Sequence, residues 1–230
     1  MVTTIKTNYI KQGDCLELMQ ELPDESIDLI VTDPPYGIDL NIQRKTSKFK
    51  NTTVKNDNTL EWLPNLVNNF KRIMKPNSVI YLFCNWQNYD VFKKEFEKYF
   101  ELKNLIVWDK QWFGMGYNWR PNHEFIMVLT NGKFKTNSNN NENILRYRRI
   151  HPTKMYHSCE KPIALLEKLI EESSNEGDTV LDSFIGSGTT PIAAINTNRK
   201  YIGYELDEKY FNIAQQRINE NSLKGGEADE

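Results

Sequence analysis

Cysteine is scarce in this 230-residue sequence: Cys15, Cys84 and Cys159 lie far apart, odd in number, with no CxxC pair. That usage excludes a disulfide framework and a zinc knuckle, and it fits a reducing cytoplasm. Long apolar runs are missing as well, and Met1–Ile10 has no apolar core of the kind a secretory leader needs. Neither a membrane span nor a signal peptide is expected, and the chain reads as cytoplasmic. His151, His157 and Cys159 lack paired ligand spacing, so no metal is expected. Charge of one sign does not dominate either. With a formal net charge of -2, contact with nucleic acid has to come from local basic patches rather than from the global field.

What is present is material for one core. Apolar residues make up 39% and aromatics 12%, enough for a single domain, placed at residues 1–223, with a frayed tail at Lys224–Glu230. Short apolar runs alternate with helical spacing. Strands are expected at Tyr9–Gln12, Ile27–Thr32, Val79–Cys84, Leu102–Trp108, Glu124–Thr130, Thr179–Asp182 and Tyr201–Glu205. Between them, helical patterns fall at Cys15–Glu21, Leu60–Lys75, Tyr89–Tyr99, from Pro162, at Thr190–Asn196 and at Glu208–Asn219. Such alternation predicts an α/β fold with a doubly wound, mostly parallel seven-stranded sheet. Two central strands with no helix between them form an antiparallel pair at one edge.

One motif follows a buried strand directly: Asp33-Pro34-Pro35-Tyr36. Two prolines in series make a stiff hook, because each fixes φ and restricts the residue before it. A turn that merely ends a strand is the bland alternative. The flanking residues favour chemistry. An exocyclic base amine is a poor nucleophile, since its lone pair is delocalised into the ring. Asp33 and the Pro34 carbonyl offer two acceptors for its two hydrogens, and Tyr36 offers a face on which an extruded base stacks.

The other motif runs Val180-Leu181-Asp182-Ser183-Phe184-Ile185-Gly186-Ser187-Gly188-Thr189-Thr190. It reads as strand, glycine-bearing turn and helix, with Glu205 ending the next strand at a distance suited to ribose hydroxyls. No lysine follows the glycines as a phosphate loop requires, and a full GxGxxG is missing. A nucleoside-bearing cofactor therefore fits better than a nucleotide or dinucleotide.

These stretches resemble the amino-group DNA methyltransferases. Asp33–Tyr36 matches their catalytic tetrapeptide, and Phe184–Gly188 matches their S-adenosylmethionine loop, in the order of the permuted β group. Gly13-Asp14-Cys15, Trp108–Lys110, His123-Glu124 and His157–Pro162 are lesser matches, the last with Ser158 and Cys159 where the family has Pro-Thr. The resemblance implies a Rossmann-like methyltransferase fold in which Thr179–Asp182 lies beside Ile27–Thr32. It implies Asp33, Pro34, Pro35 and Tyr36 as catalytic. As cofactor contacts it implies Asp14, Asp33, Lys161, Asp182, Ser183, Phe184, Gly186, Ser187, Gly188, Thr189 and Glu205. Aspartate before the prolines is usual for adenine N6 and serine for cytosine N4, so adenine in DNA is the expected substrate and cytosine the alternative. A catalytically silent nucleic-acid-binding subunit is a rival that predicts a decayed hook or loop; both are intact.

Basic residues cluster in two places. Arg44, Lys45 and Lys48 fall in one, and Arg146, Arg148 and Arg149 in the other; beside these motifs, both are candidate DNA contacts. They sit in two insertions, 37–59 and 133–156, expected to carry target recognition. Small members of the group often pair, which implies a homodimer, and a cognate restriction endonuclease is a further possible partner. Asp14 reads equally as a helix cap and as a cofactor neighbour. The aromatic stretch Trp112–Arg120 reads as base pocket or as core.

Overall fold

The computed structural model describes residues 5–38, 41–42, 52–53, 57–114 and 118–226. In chain order the elements are β1 (Tyr9–Gln12), α1 (Cys15–Leu18), β2 (Ile27–Thr32), β3 (Asn41–Ile42), β4 (Thr52–Thr53), α2 (Leu63–Ile73) and β5 (Met74–Cys84). There follow α3 (Tyr89–Phe96), β6 (Glu101–Asp109), β7 (His123–Asn131), β8 (Ile144–Arg146), α4 (Ile163–Ser173), β9 (Thr179–Asp182), α5 (Thr189–Asn196), β10 (Lys200–Glu205) and α6 (Glu208–Gly226). A 3-10 turn at Met19–Glu21 extends α1.

Alternation in the strands builds a three-layer sandwich. Ile30, Ile80, Leu82, Met127, Leu181 and Ile202 point to the face covered by α1, α2 and α3, where Met19, Leu66, Phe70 and Phe96 are fully buried. Their neighbours Leu29, Val31, Val79, Tyr81, Val128 and Val180 point to the opposite face, closed by Leu165 and Leu169 of α4, Ile192 of α5 and Ile218 of α6. Strands buried on both faces read as near-continuous apolar runs, which is why β2 and the Val79–Cys84 end of β5 are so rich in apolar residues.

The main sheet has the order β1-β10-β9-β2-β5-β7-β6-β8. This corrects the expected seven strands to eight among the described residues. The added strand, β8, lies in the segment read as an insertion and pairs parallel with β6 through Val107 and Ile144. Only three residues long and preceded by an asparagine-rich run, it had no periodicity to betray it. The antiparallel pair is present, with β7 running against both β5 and β6, but β8 takes the edge itself. A short antiparallel piece, β3 with β4, falls inside the other insertion. Helix α2 ends earlier than its spacing predicts, because Pro76 forces the preceding chain into extended geometry and Met74 already pairs with Ile27.

β9 lies beside β2, with Leu29 opposite Val180 and Ile30 opposite Leu181. From that pair the chain winds outward in both directions, so the carboxyl ends of β2 and β9 flank the switch point of the sheet.

Candidate active site

Two threonines tie the chain segments at the switch point together. Thr32 Oγ1, the last side chain of β2, donates to Asp182 Oδ1 at 2.8 Å, and Thr190 Oγ1 donates to Asp182 Oδ2 at 2.6 Å. Phe184 N adds a third bond to the same carboxylate at 3.0 Å. Burial lifts the Asp182 carboxyl to about 6 even though these donors pull it back down. Asp182 is thus an internal clamp that brings the Asp33–Tyr36 turn and the Ser183–Gly188 turn to one place.

A cavity of about 430 Å³ opens there, a size in the range of small-molecule sites. Asp33, Pro34, Pro35 and Tyr36 line one wall; Asp14, Ser183, Phe184, Gly186 and Glu205 line another. Lys161, Asp182, Ser187 and Thr189 stand behind that wall around a smaller cavity of about 70 Å³. Gly188 begins α5 with a left-handed φ of 85°. Behind the loop, Ser187 Oγ and its carbonyl both accept from Arg217 of α6, at 2.9 and 2.7 Å.

The glycine loop is shaped from both sides. Ile185 N donates to Tyr204 O at 3.0 Å, and Gly186 N donates to Glu205 Oε2 at 2.8 Å. Glu205 Oε1 accepts from Asp207 N, also at 2.8 Å. Burial pushes the Glu205 carboxyl up to about 7 despite these two backbone donors. At the other end of the wall, Asp14 accepts from Leu16 N at 2.8 Å, capping α1 while it lines the cavity. The cap expected of Asp14 is therefore present, and the same side chain faces the cavity. Phe184 rests on Trp62, with ring centroids 5.9 Å apart.

Beneath the proline hook lies a chain of alternating charge. Lys161, with a side chain only 7% exposed, places Nζ 2.5 Å from Asp33 Oδ2 and 3.1 Å from Glu124 Oε2, and Lys110 pairs with Glu124 in turn. Burial alone would pull the Lys161 ammonium down, but Asp33 and Glu124 outweigh it and hold the group protonated. Burial would likewise raise the Glu124 carboxyl, yet Lys161 and Lys110 hold it at about 2. For Asp33, burial wins and lifts the carboxyl against the pull of Lys161. Tyr36 Oη donates to Asp33 Oδ1 at 2.5 Å, and Asn88 Nδ2 donates to the Tyr36 carbonyl, fixing the turn from α3's side. His157 is held neutral, its pKa lowered to about 4 by burial and by Lys161, and it packs against Tyr210 at 4.3 Å.

Sequence reading gave Glu124 no role of its own, because its partners stand elsewhere in the chain. Trp62, Trp86 and Lys110 also line the cavity without having been expected there. The described residues of the Trp112–Arg120 stretch are not core, since Phe113 and Trp119 are exposed; residues 115–117, Tyr117 among them, lie outside the described residues. Among the candidate DNA contacts, Arg146 and Arg148 are exposed and Arg149 half-buried, whereas Arg44, Lys45 and Lys48 also fall outside the described residues. No helix among the described residues is long and apolar enough to cross a membrane.

Comparison with known proteins bears on the family and the fold. A family profile described as DNA methylase matches residues 27–216. The DNA adenine methyltransferase YhdJ of Escherichia coli K12 is 29% identical, over 91% of this chain and 82% of its own. The crystal structure of the M1.HpyAVI–SAM complex is 30% identical, covers 90% of this chain and 98% of its own, and superposes with a TM-score of 0.69. The cytosine-N4-specific PvuII DNA methyltransferase shares the fold at 18% identity and a TM-score of 0.69, over 95% of this chain and 92% of its own.

Proposed function

The chain belongs to the DNA methylase family, and on that premise we propose that it transfers a methyl group from S-adenosylmethionine to the exocyclic N6 amine of adenine in DNA. One observation carries the reading: the Thr32–Asp182 bond joins the proline hook and the glycine loop across a single cavity.

The residues present fit that cofactor. Asp14, Glu205 and Asp207 line the glycine-loop side of the cavity, beside the rings of Phe184 and Tyr210. Carboxylates suit ribose hydroxyls and the α-ammonium of an amino-acid tail, and they repel phosphate. When bound, the cofactor supplies an electrophilic methyl group on a positively charged sulfur.

The chain's own residues prepare the nucleophile. Asp33 accepts one hydrogen of the base amine and the Pro34 carbonyl accepts the other, which frees the nitrogen lone pair. Tyr36 gives the base a flat surface, and its hydroxyl, bonded to Asp33 Oδ1, sets the carboxylate's rotation. Lys161 holds the opposite oxygen and draws the Asp33 carboxyl down against burial, which still leaves it raised. Asp33 is also the carboxylate placed to take the proton that the amine nitrogen sheds after transfer. Orientation and fixed charge carry the step. Aspartate rather than serine before the prolines supports adenine over cytosine, and the similarity to an adenine methyltransferase supports it further.

The test is transfer of labelled methyl groups to unmethylated DNA followed by nucleoside analysis, with N6-methyladenine expected. Asp33→Ala and the isosteric Asp33→Asn are expected to lose at least about 100-fold in turnover, the scale of a lost transition-state contact. S-adenosylhomocysteine should still protect both variants against thermal unfolding. Label on cytosine overturns the substrate, retained turnover overturns the mechanism, and wild-type protein without protection is a silent subunit.

A further inference from the structure

Beyond the cavity, the connection from β6 to β7 continues as a hairpin. Lys110 N donates to Asn122 O at 2.8 Å and Gly114 N donates to Pro121 O at 2.7 Å. Lys110, Pro121 and His123 line the cavity, so the base of this hairpin is the cavity's rim. Trp119 follows two residues out from Pro121, roughly 7 Å along an extended chain. It is 95% exposed, and Phe113 across the hairpin is 66% exposed. An indole is among the most apolar surfaces a chain can bury, so one held in water at the rim of a site calls for a partner.

The surroundings of Trp119 state what that partner is. Arg120 Nε donates to Gly114 O at 2.8 Å and its guanidinium lies 5.7 Å from the Phe113 ring, bracing the hairpin from within. The basic segment after β8 is fastened alongside: Arg149 N donates to Lys110 O at 2.9 Å, and Trp108 Nε1 donates to Tyr147 O at 2.7 Å. Trp112 meets His151 edge-on at 5.9 Å, with Arg148 at 5.8 Å from its ring. Residues 110–122 and 144–156 carry Lys110, Arg120, Arg146, Arg148, Arg149 and Lys154 and not one Asp or Glu. An aromatic tip between cations matches stacked bases between phosphate strands, and an acidic or neutral protein surface would match the indole less well than the arginines.

We propose that Trp119 is a wedge that enters the duplex and fills the stacking position vacated by the target nucleotide, while Arg120 and Arg148 hold the flanking phosphates. This rests on the reading of the cavity as the site that receives an extruded base. Base extrusion leaves a gap whose collapse would return the base to the stack, and an aromatic inserted at the gap keeps it out.

The experiment compares Trp119→Ala, Trp119→Phe and wild-type protein on two duplexes that share the site mapped with the wild type. In one the target adenine is paired; in the other it faces an abasic position and is already loosely held. On the paired duplex Trp119→Ala should lose roughly 10-fold to 100-fold in kcat/KM, the cost of unstacking without help. On the abasic duplex its loss should stay within about 2-fold, since that cost is already met. Trp119→Phe should recover most of the activity on the paired duplex. The side chain is exposed, so the thermal midpoint should not move. Equal losses on both duplexes, or no loss on either, overturn the wedge. Wild-type protein inert towards both duplexes instead sinks the methyl-transfer reading on which the wedge rests.

Discussion

Glu205 shows how much a single carboxylate can decide. Each of its oxygens already accepts a backbone N–H, from Gly186 and Asp207, and burial has lifted its pKa to about 7. Ribose hydroxyls would donate to the ionised form, so binding draws on the carboxylate and not on the acid. The sign follows: affinity for S-adenosylhomocysteine should be flat above about pH 7 and fall as the pH drops through that value, by up to about tenfold per unit. Calorimetric titration between pH 5.5 and 8.5 measures this, and Glu205→Gln should bind weakly with no such slope. A flat wild-type profile would remove Glu205 from the binding site. Lys161 acts in the opposite direction on Asp33. Replacing it with methionine leaves Asp33 and Glu124 facing each other without the ammonium that now separates them, and both carboxyls must rise. The acid limb of the kcat profile should move to higher pH, and turnover at pH 7 should fall by about tenfold or more. An unmoved limb would show that Lys161 only fills space.

At the scale of elements, the loop before α5 is a tight joint. Gly188 has φ 85°, and a Cβ there would meet the Cβ and Cα of Ala214 in α6 at 3.0 and 3.1 Å. Gly188→Ala therefore combines backbone strain with a push on α6, and should cost roughly 1–3 kcal/mol. Urea unfolding is the measure; an unchanged midpoint would mean that α6 shifts without penalty. Glycine at this position was legible in the sequence because the two glycines interrupt an otherwise regular strand-to-helix pattern. So were β2, the Val79–Cys84 part of β5 and β9, whose two-sided burial writes itself as short runs rich in apolar and β-branched residues. β8 was not, since three residues with alternate exposure carry no period. The Lys161–Glu124 pair was hidden for another reason. Glu124 and Lys161 take their roles from each other and from Asp33, which Lys161 reaches across 128 positions, and no local pattern encodes a contact of that span. Trp119 was visible as an aromatic in a glycine-broken stretch, but only the sheet register shows that the stretch leaves the core.

Over the whole molecule, charge is sorted rather than balanced. The net value of -2 hides an acidic wall at Asp14, Glu205 and Asp207 and a basic rim along residues 110–122 and 144–156. On the proposed reading, a polyanion approaching this surface would be repelled from the acidic wall and drawn to the hairpin, which would orient DNA before any base is touched. Arg146 pairs with Glu142 at 3.4 Å, an exposed contact worth little, which leaves its charge available to phosphate. Each phosphate neutralised contributes about 0.9 to the slope of log K against log salt. Substituting both Arg146 and Arg148 by alanine should therefore flatten that slope by about two, weakening binding to every sequence alike. Affinity for S-adenosylhomocysteine should stay unchanged, because neither arginine lines the cavity. Fluorescence anisotropy on a short duplex from 50 to 300 mM salt measures both quantities. A slope that does not change would place the DNA away from this rim and leave Arg44, Lys45 and Lys48 as the cations that meet it; the wedge at Trp119 would then have no duplex to enter.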